Sequence, residues 1–275
     1  MVDIVEVNES AYRAEYSPIA PDKPLCVFLH GFLGTCAEFY HITPQLTDFV
    51  NPLLIDHLGH GESSVPSVDS TVDTNRLVGD LVEIIRRFSQ EKVFLAGYSM
   101  GGRLALHAAC ARPELFRGMI LESTGPGIAD PEIRKNRVLT DKNRAEQIQA
   151  DLRKFVEEWN RMPLFQSGGA PDPEGRLHLE ILQKMQNPNG IASMLKGFGS
   201  GEMPPVTAIE LNNINFPVLL IAGREDVRYV EIQHQMAEEL PDVEVQILDD
   251  AGHRVHINTP DAYISTLKTF LLSNL

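Results

Sequence analysis

The stretch that most limits what this chain can become is Lys92 to Arg103, KVFLAGYSMGGR. Val93, Phe94, Leu95 and Ala96 read as a short buried strand, a turn follows with serine at its tip, and a helix is expected over Arg103 to Arg112. Gly97-Tyr98-Ser99-Met100-Gly101 fits G-x-S-x-G, a nucleophile elbow. Its glycines let strand and helix approach closely while the serine is held in an unfavourable backbone conformation. Five residues of this pattern are common by chance, but a strand before and a helix after are not.

A lone serine hydroxyl is a poor base or nucleophile until an imidazole takes its proton and a carboxylate fixes the imidazole's tautomer. On sheets of this kind the partners follow in the order Ser, Asp or Glu, His, each beyond the carboxyl end of a strand. Asp226 lies just past the apolar run Val218–Ile221, with Glu225 as its nearest competitor, and His253 lies just past Val243–Leu248. Ser99, Asp226 and His253 are therefore the expected triad. A second glycine-bearing loop, His30-Gly31-Phe32-Leu33-Gly34, closes the apolar run Leu25–Leu29. The backbone N–H of Phe32 and that of Met100 would form an oxyanion hole.

The rest of the chain fits an α/β fold with a mostly parallel sheet. Residues 2–8 and 11–16 read as an antiparallel entry hairpin, Pro52–Asp56 and Gly118–Glu122 as further strands, and Asn75–Phe88 and Pro260–Leu272 as covering helices. Strand–helix alternation stops between Gly125 and Pro217. That polar segment, broken by Pro131, Pro163, Gly168-Gly169, Pro171, Pro173, Pro188 and Pro204-Pro205, reads as a helical cap. The expected division is a core of 1–124 and 217–275 with a cap of 125–216 inserted.

Charge narrows the partners. With 38 acidic against 24 basic residues the net charge is -14, which argues against nucleic acid and anionic membrane surfaces. The N-terminal MVDIVEVNES is acidic, and no apolar run reaches the roughly 18 residues of a membrane span. Three irregularly spaced cysteines, Cys26, Cys36 and Cys110, suggest no disulfide framework and fit a cytoplasmic protein. The pairs His57/His60 and His253/His256 lack a third ligand, so no metal is expected. Arg103 is the informative oddity. Four residues after Ser99, it shares a helix face with the serine, and a hydrolase of neutral esters has no use for a cation there. With Arg134 and Arg137 near the start of the cap, it points to a carboxylate-bearing small molecule. Monomer and homodimer are both open at this level.

These residues resemble the α/β-hydrolase superfamily from about Leu25 to Leu272. More narrowly they resemble the 2-succinyl-6-hydroxy-2,4-cyclohexadiene-1-carboxylate synthases of menaquinone biosynthesis. The similarity includes Ile120-Leu121-Glu122-Ser123, Glu158-Trp159, Pro163-Leu164-Phe165-Gln166-Ser167, Gln186-Asn187-Pro188 and the run Gly197 to Pro204. The resemblance implies a lyase that eliminates pyruvate from a polycarboxylate without cofactor or metal. It also implies that the triad acts as a base and that Tyr98, Arg103, Arg137 and Trp159 line the substrate pocket. There are departures. The loop Asp56-His57-Leu58-Gly59-His60-Gly61 has histidine and leucine where Leu-Pro is usual, Phe39 stands for a tryptophan, and a family arginine falls on Gln183 beside Lys184. A serine or carbon–carbon hydrolase of an acidic substrate, and a non-catalytic ligand sensor, are the alternatives.

Overall fold

The computed structural model describes residues 1–17, 19–66, 72–168 and 173–275. The expected breaks at Gly169 and Pro171 lie outside them. Eight strands form one sheet: β1 (Val2–Val7), β2 (Ser10–Tyr16), β3 (Leu25–Leu29), β4 (Asn51–Ile55), β5 (Val93–Tyr98), β6 (Phe116–Glu122), β7 (Val218–Gly223) and β8 (Val243–Leu248). Their order across the sheet is β1-β2-β4-β3-β5-β6-β7-β8. The β1–β2 and β2–β4 pairs are antiparallel and all other pairs parallel. The entry hairpin turns at Asn8 and Glu9, both at positive φ.

The central strands β3 to β7 are almost wholly buried because helices cover both faces. Alternation sorts their side chains. Val27, Leu29, Val93 and Leu95 join one core with α1 (Thr74–Phe88), α2 (Met100–Ala111) and α8 (Val227–Ala237). Cys26, Phe28, Phe94, Ala96 and Tyr98 join the other with α10 (Pro260–Ser273) and the 3₁₀ turns at Cys36–Phe39 and Thr43–Leu46. The helix after the elbow starts at Met100, three residues earlier than expected, because Ser99 itself is its N-terminal boundary. Sequence reading passes over α8, and also the short α9 (Val255–Asn258).

Between β6 and β7 run α3 (Pro131–Ala150), α4 (Leu152–Asn160), α5 (Pro173–Lys184), α6 (Pro188–Phe198) and α7 (Ala208–Asn212). Pro131, Pro173 and Pro188 open helices rather than break them, since proline at the first helical position loses no bond the helix would make. Asp130 and Asn187 cap two of these starts by accepting N–H groups of the first turn, and Thr207 with Glu210 forms a reciprocal capping box. Helices α3, α4 and α6 share a small core of their own into which Leu33 inserts from the loop after β3.

The mounting of α6 on the loop after β4 is backbone against backbone. A Cβ on Gly190 would lie 2.4 Å from the carbonyl oxygen of Gly59, and one on Gly59 would lie 2.6 Å from that of Gly190. Beside this seam the Gln186 amide accepts from Gly61 N–H at 2.8 Å and donates to Gly34 O at 3.0 Å.

Candidate active site

Ser99 sits between β5 and α2 at φ 49° and ψ -106°, in the left-handed half of backbone space. The neighbouring glycines explain how the turn is tolerated. A Cβ on Gly97 would lie 2.6 Å from Gly101 O, and one on Gly101 would lie 2.2 Å from Leu29 O. The turn is pinned by Ser99 N–H donating to Glu122 O at 2.9 Å and by the Thr124 hydroxyl donating to Ser99 O at 2.8 Å.

His253 follows β8 and Asp226 follows β7. Nδ1 of His253 lies 2.6 Å from Asp226 Oδ2, and its Nε2 lies 3.1 Å from Ser99 Oγ. Glu225 turns elsewhere, accepting the N–H of Gly168 at 2.6 Å. Burial pulls the His253 imidazole below its ordinary pKa of 6.5, and Arg254 adds to this against the opposing pull of Asp226. At neutral pH the ring is thus uncharged, with Nδ1–H donating to the carboxylate and Nε2 accepting from the serine.

Ser99, Met100, Phe32, Arg103, Arg137, Trp159 and His253 line one cavity of about 160 Å³. Met100 is the first residue of α2, where a helix leaves its N–H groups without internal partners. The loop carrying Phe32 is held by its neighbour Leu33, which has φ 67° and donates its N–H to His60 Nε2 at 3.2 Å. His60 belongs to a buried histidine cluster bonded to backbone. His57 N–H donates to His30 Nε2 at 3.0 Å, and His57 Nε2 donates to His30 O at 2.8 Å. Burial lowers all three histidines, His57 to about 4 and His60 to about 3. Among the described residues no group of three His, Cys, Asp or Glu side chains is arranged to hold a metal.

The arginines differ in how they are satisfied. Arg137 is clamped to Asp141, with both carboxylate oxygens 2.8 Å from its Nε. Arg134 donates to Gly201 O at 3.0 Å and does not line the cavity. Arg103 has no ion pair among the described residues, and its buried Nε has no hydrogen-bond partner. Burial depresses its pKa, and Arg137 reinforces the depression. Trp159 Nε1 is likewise a buried donor without a partner. Both residues line the cavity of Ser99.

Tyr98 does not line this cavity. Strand alternation sends its ring to the opposite face of the sheet, 4.8 Å from the His256 ring and 5.6 Å from that of His253. Lys184, beside Gln183, does not line this cavity and bridges Glu157 at 2.8 Å and Glu180 at 2.7 Å. Sequence reading missed Arg144 and Arg228, which also line the cavity. Arg144 lies over Trp159 with its guanidinium carbon 5.3 Å from the ring centre, and Arg228 is on the first turn of the unforeseen α8.

A family model described as the alpha/beta hydrolase fold matches residues 24–260. The chain belongs to the α/β-hydrolase family. Within this family it is 35% identical over 261 residues to a Bacillus subtilis (strain 168) protein provisionally named a 2-succinyl-6-hydroxy-2,4-cyclohexadiene-1-carboxylate synthase, with 94% of each chain covered. It is 30% identical to the synthase of that name from Salmonella typhimurium, covering 94% of this chain and 98% of the relative. The solved structure of MenH from S. aureus superposes with a TM-score of 0.90 at 30% identity, covering 95% of this chain and 98% of that one. This α/β hydrolase is therefore grouped with the synthases by similarity that includes the helices between β6 and β7. Among its described residues, no helix is long and apolar enough to cross a membrane.

Proposed function

We propose that the chain is the lyase of menaquinone biosynthesis that converts 2-succinyl-5-enolpyruvyl-6-hydroxy-3-cyclohexene-1-carboxylate into 2-succinyl-6-hydroxy-2,4-cyclohexadiene-1-carboxylate and pyruvate. The observation that carries this reading beyond family likeness is Arg103, one helical turn from Ser99, whose buried Nε has no hydrogen-bond partner and which has no ion pair among the described residues. Such a group stabilises a site that receives an anion and is a burden in one that does not.

In this reading neutral His253, fixed by Asp226, takes the hydroxyl proton of Ser99 as Ser99 removes a ring proton from the substrate. The electrons of that C2–H bond form a C2–C3 double bond, the existing C3–C4 double bond shifts to C4–C5, and the C5–O bond to the enolpyruvyl group breaks. The departing enolate is protonated to pyruvate. Backbone N–H groups of Phe32 and Met100 face the oxygen on which negative charge develops. Arg103 and Arg137 pair with carboxylates, and Trp159 donates Nε1–H. Tyr98 supports the imidazoles from behind, a change from the pocket-lining role that the resemblance implies. Residues 125–216 act as a cap on a core of 1–124 and 217–275. The free thiols Cys26, Cys36 and Cys110 suit a cytoplasmic enzyme.

The test is a coupled assay. The substrate is generated by the preceding enzyme, and diene absorbance and pyruvate release are followed together, with Ser99→Ala as control. Acceleration of both signals that is lost with Ser99 is the expected result. A folded protein that leaves both at background, or that turns over neutral esters instead, would overturn the reading in favour of a hydrolase using the same hydrogen-bonded array.

A further inference from the structure

A second cavity, of about 220 Å³, shares His253 and Phe165 with the first but has a different cation, Arg254. The guanidinium carbon of Arg254 lies 4.1 Å from the centre of the Phe165 ring, and Nη2 donates to Asn160 Oδ1 at 3.0 Å. Asn160 is oriented in turn by donating to Gln183 Oε1 at 2.6 Å. The fork is therefore held by an aromatic face, a neutral amide and the Tyr98 hydroxyl. Arg254 has no ion pair among the described residues. Two carboxylates do line the cavity, Glu157 and Glu180, but Lys184 engages both at 2.8 Å and 2.7 Å. The exposed Arg161 adds a further positive charge to the lining. With Lys184 counted, three cations meet the two carboxylates of the lining, and the further attraction on Arg254 comes from buried Glu38, which does not line the cavity.

We propose that Arg254 is the core of a second anion subsite that takes a small planar carboxylate, the α-keto acid released by the reaction. The inference rests on the lyase reading for the identity of that acid and on the geometry for its location. Oriented guanidinium N–H groups match a carboxylate two-point contact better than an ammonium would. Because His253 forms a wall of both cavities, a leaving group departing from a substrate held at Arg103 passes the proton-transfer residue and meets Arg254 next. The enzyme so built separates the carboxylate it keeps from the one it releases.

The test reads binding rather than turnover, so it succeeds or fails independently of the lyase reading. Pyruvate is titrated into the intact wild-type protein and into Arg254→Gln, Arg254→Lys and Asn160→Asp, with affinity followed by ligand-observed NMR and folding by thermal melting. The expected result is a loss of about tenfold or more in Arg254→Gln, the scale of a charge-assisted hydrogen bond. A smaller loss is expected in Arg254→Lys. Asn160→Asp retains Arg254 but supplies it with an internal carboxylate, and should also lose binding. Unchanged pyruvate affinity in folded Arg254→Gln would overturn the proposal. So would loss of binding in Arg103→Gln with none in Arg254→Gln, which would place the carboxylate in the cavity of Ser99.

Discussion

Glu122 joins the two halves of the site by presenting its carboxylate to His256, with Oε1 2.8 Å from Nδ1 and 3.1 Å from the backbone N–H. Its own carbonyl accepts the N–H of Ser99 at 2.9 Å. One residue at the end of β6 thus sets the elbow with its backbone and anchors the loop of His253 with its side chain. Both partners are fully buried. Burial opposes protonation of His256, but attraction to Glu122 outweighs it and raises the imidazole above its ordinary 6.5.

Breaking that pair should cost stability and activity together. Removing one partner of a buried ion pair typically costs about 3–5 kcal/mol. Glu122→Gln is expected to show a loss of this order in denaturant unfolding. The sign of the pH dependence follows from the raised value. The stability contributed by charged His256 is present in full below about 6.5 and fades as pH rises through the higher native value. Glu122→Gln should flatten that part of the stability–pH curve, and an unaltered curve would show that the pair is not charged.

Proton transfer gives a second expectation. Ser99→Ala and His253→Ala should each lower the rate of diene formation by roughly 10²–10⁴-fold, the usual worth of a positioned acid–base group. Their circular dichroism spectra should match the wild type. Retention of most activity in either would assign the base elsewhere.

Activity should also persist into mild acid. His253 must be neutral to accept a proton, and burial holds its pKa below 6.5. The acid limb of a profile of kcat/KM against pH should therefore be centred below 6.5. An acid limb centred above 6.5 would contradict the buried, neutral imidazole.

Arg103 offers a separation of stability from function. In Arg103→Met, loss of a buried charge-assisted contact worth about 1.5–3 kcal/mol should reduce kcat/KM by roughly 10- to 150-fold. The free protein, relieved of a buried charge pressed against Arg137, should melt no lower than wild type. A large fall in melting temperature would mean that Arg103 is structural.

The elbow glycine is the strictest packing prediction. The Cβ of Gly101→Ala would meet Leu29 O at 2.2 Å and Leu29 C at 2.5 Å. Overpacking against backbone should cost at least about 1–3 kcal/mol, read as a lowered midpoint in urea. Unchanged stability would mean that β3 yields at that contact.

The sheet was legible because its strands are uninterrupted apolar runs, and the serine because a strand, two glycines and a helix surround it. Asp226 and His253 could be located because chemistry on such a sheet collects beyond the ends of its strands. Helix α8 was not legible. Its sequence VRYVEIQHQMA buries only Gln233 and Met236, so it carries little amphipathic signal. Nor was the direction of Tyr98, which depends on which face of β5 receives the 3₁₀ turns and α10. Arg144 and Arg228 lie far from Ser99 in sequence, and only tertiary packing brings them to its cavity. Lys184 looked available as a substitute cation until its two glutamates were in view.

The contact of Gly59 with Gly190 has an evolutionary consequence. Because each backbone occupies the space of the other's missing side chain, neither position can drift, and a change at one is not rescued by a change at the other. Side chains projecting from α3 and α4 into the cavity carry no such constraint. New ligands can thus be explored by exchanging those side chains, while the mount between α6 and the sheet is inherited unaltered.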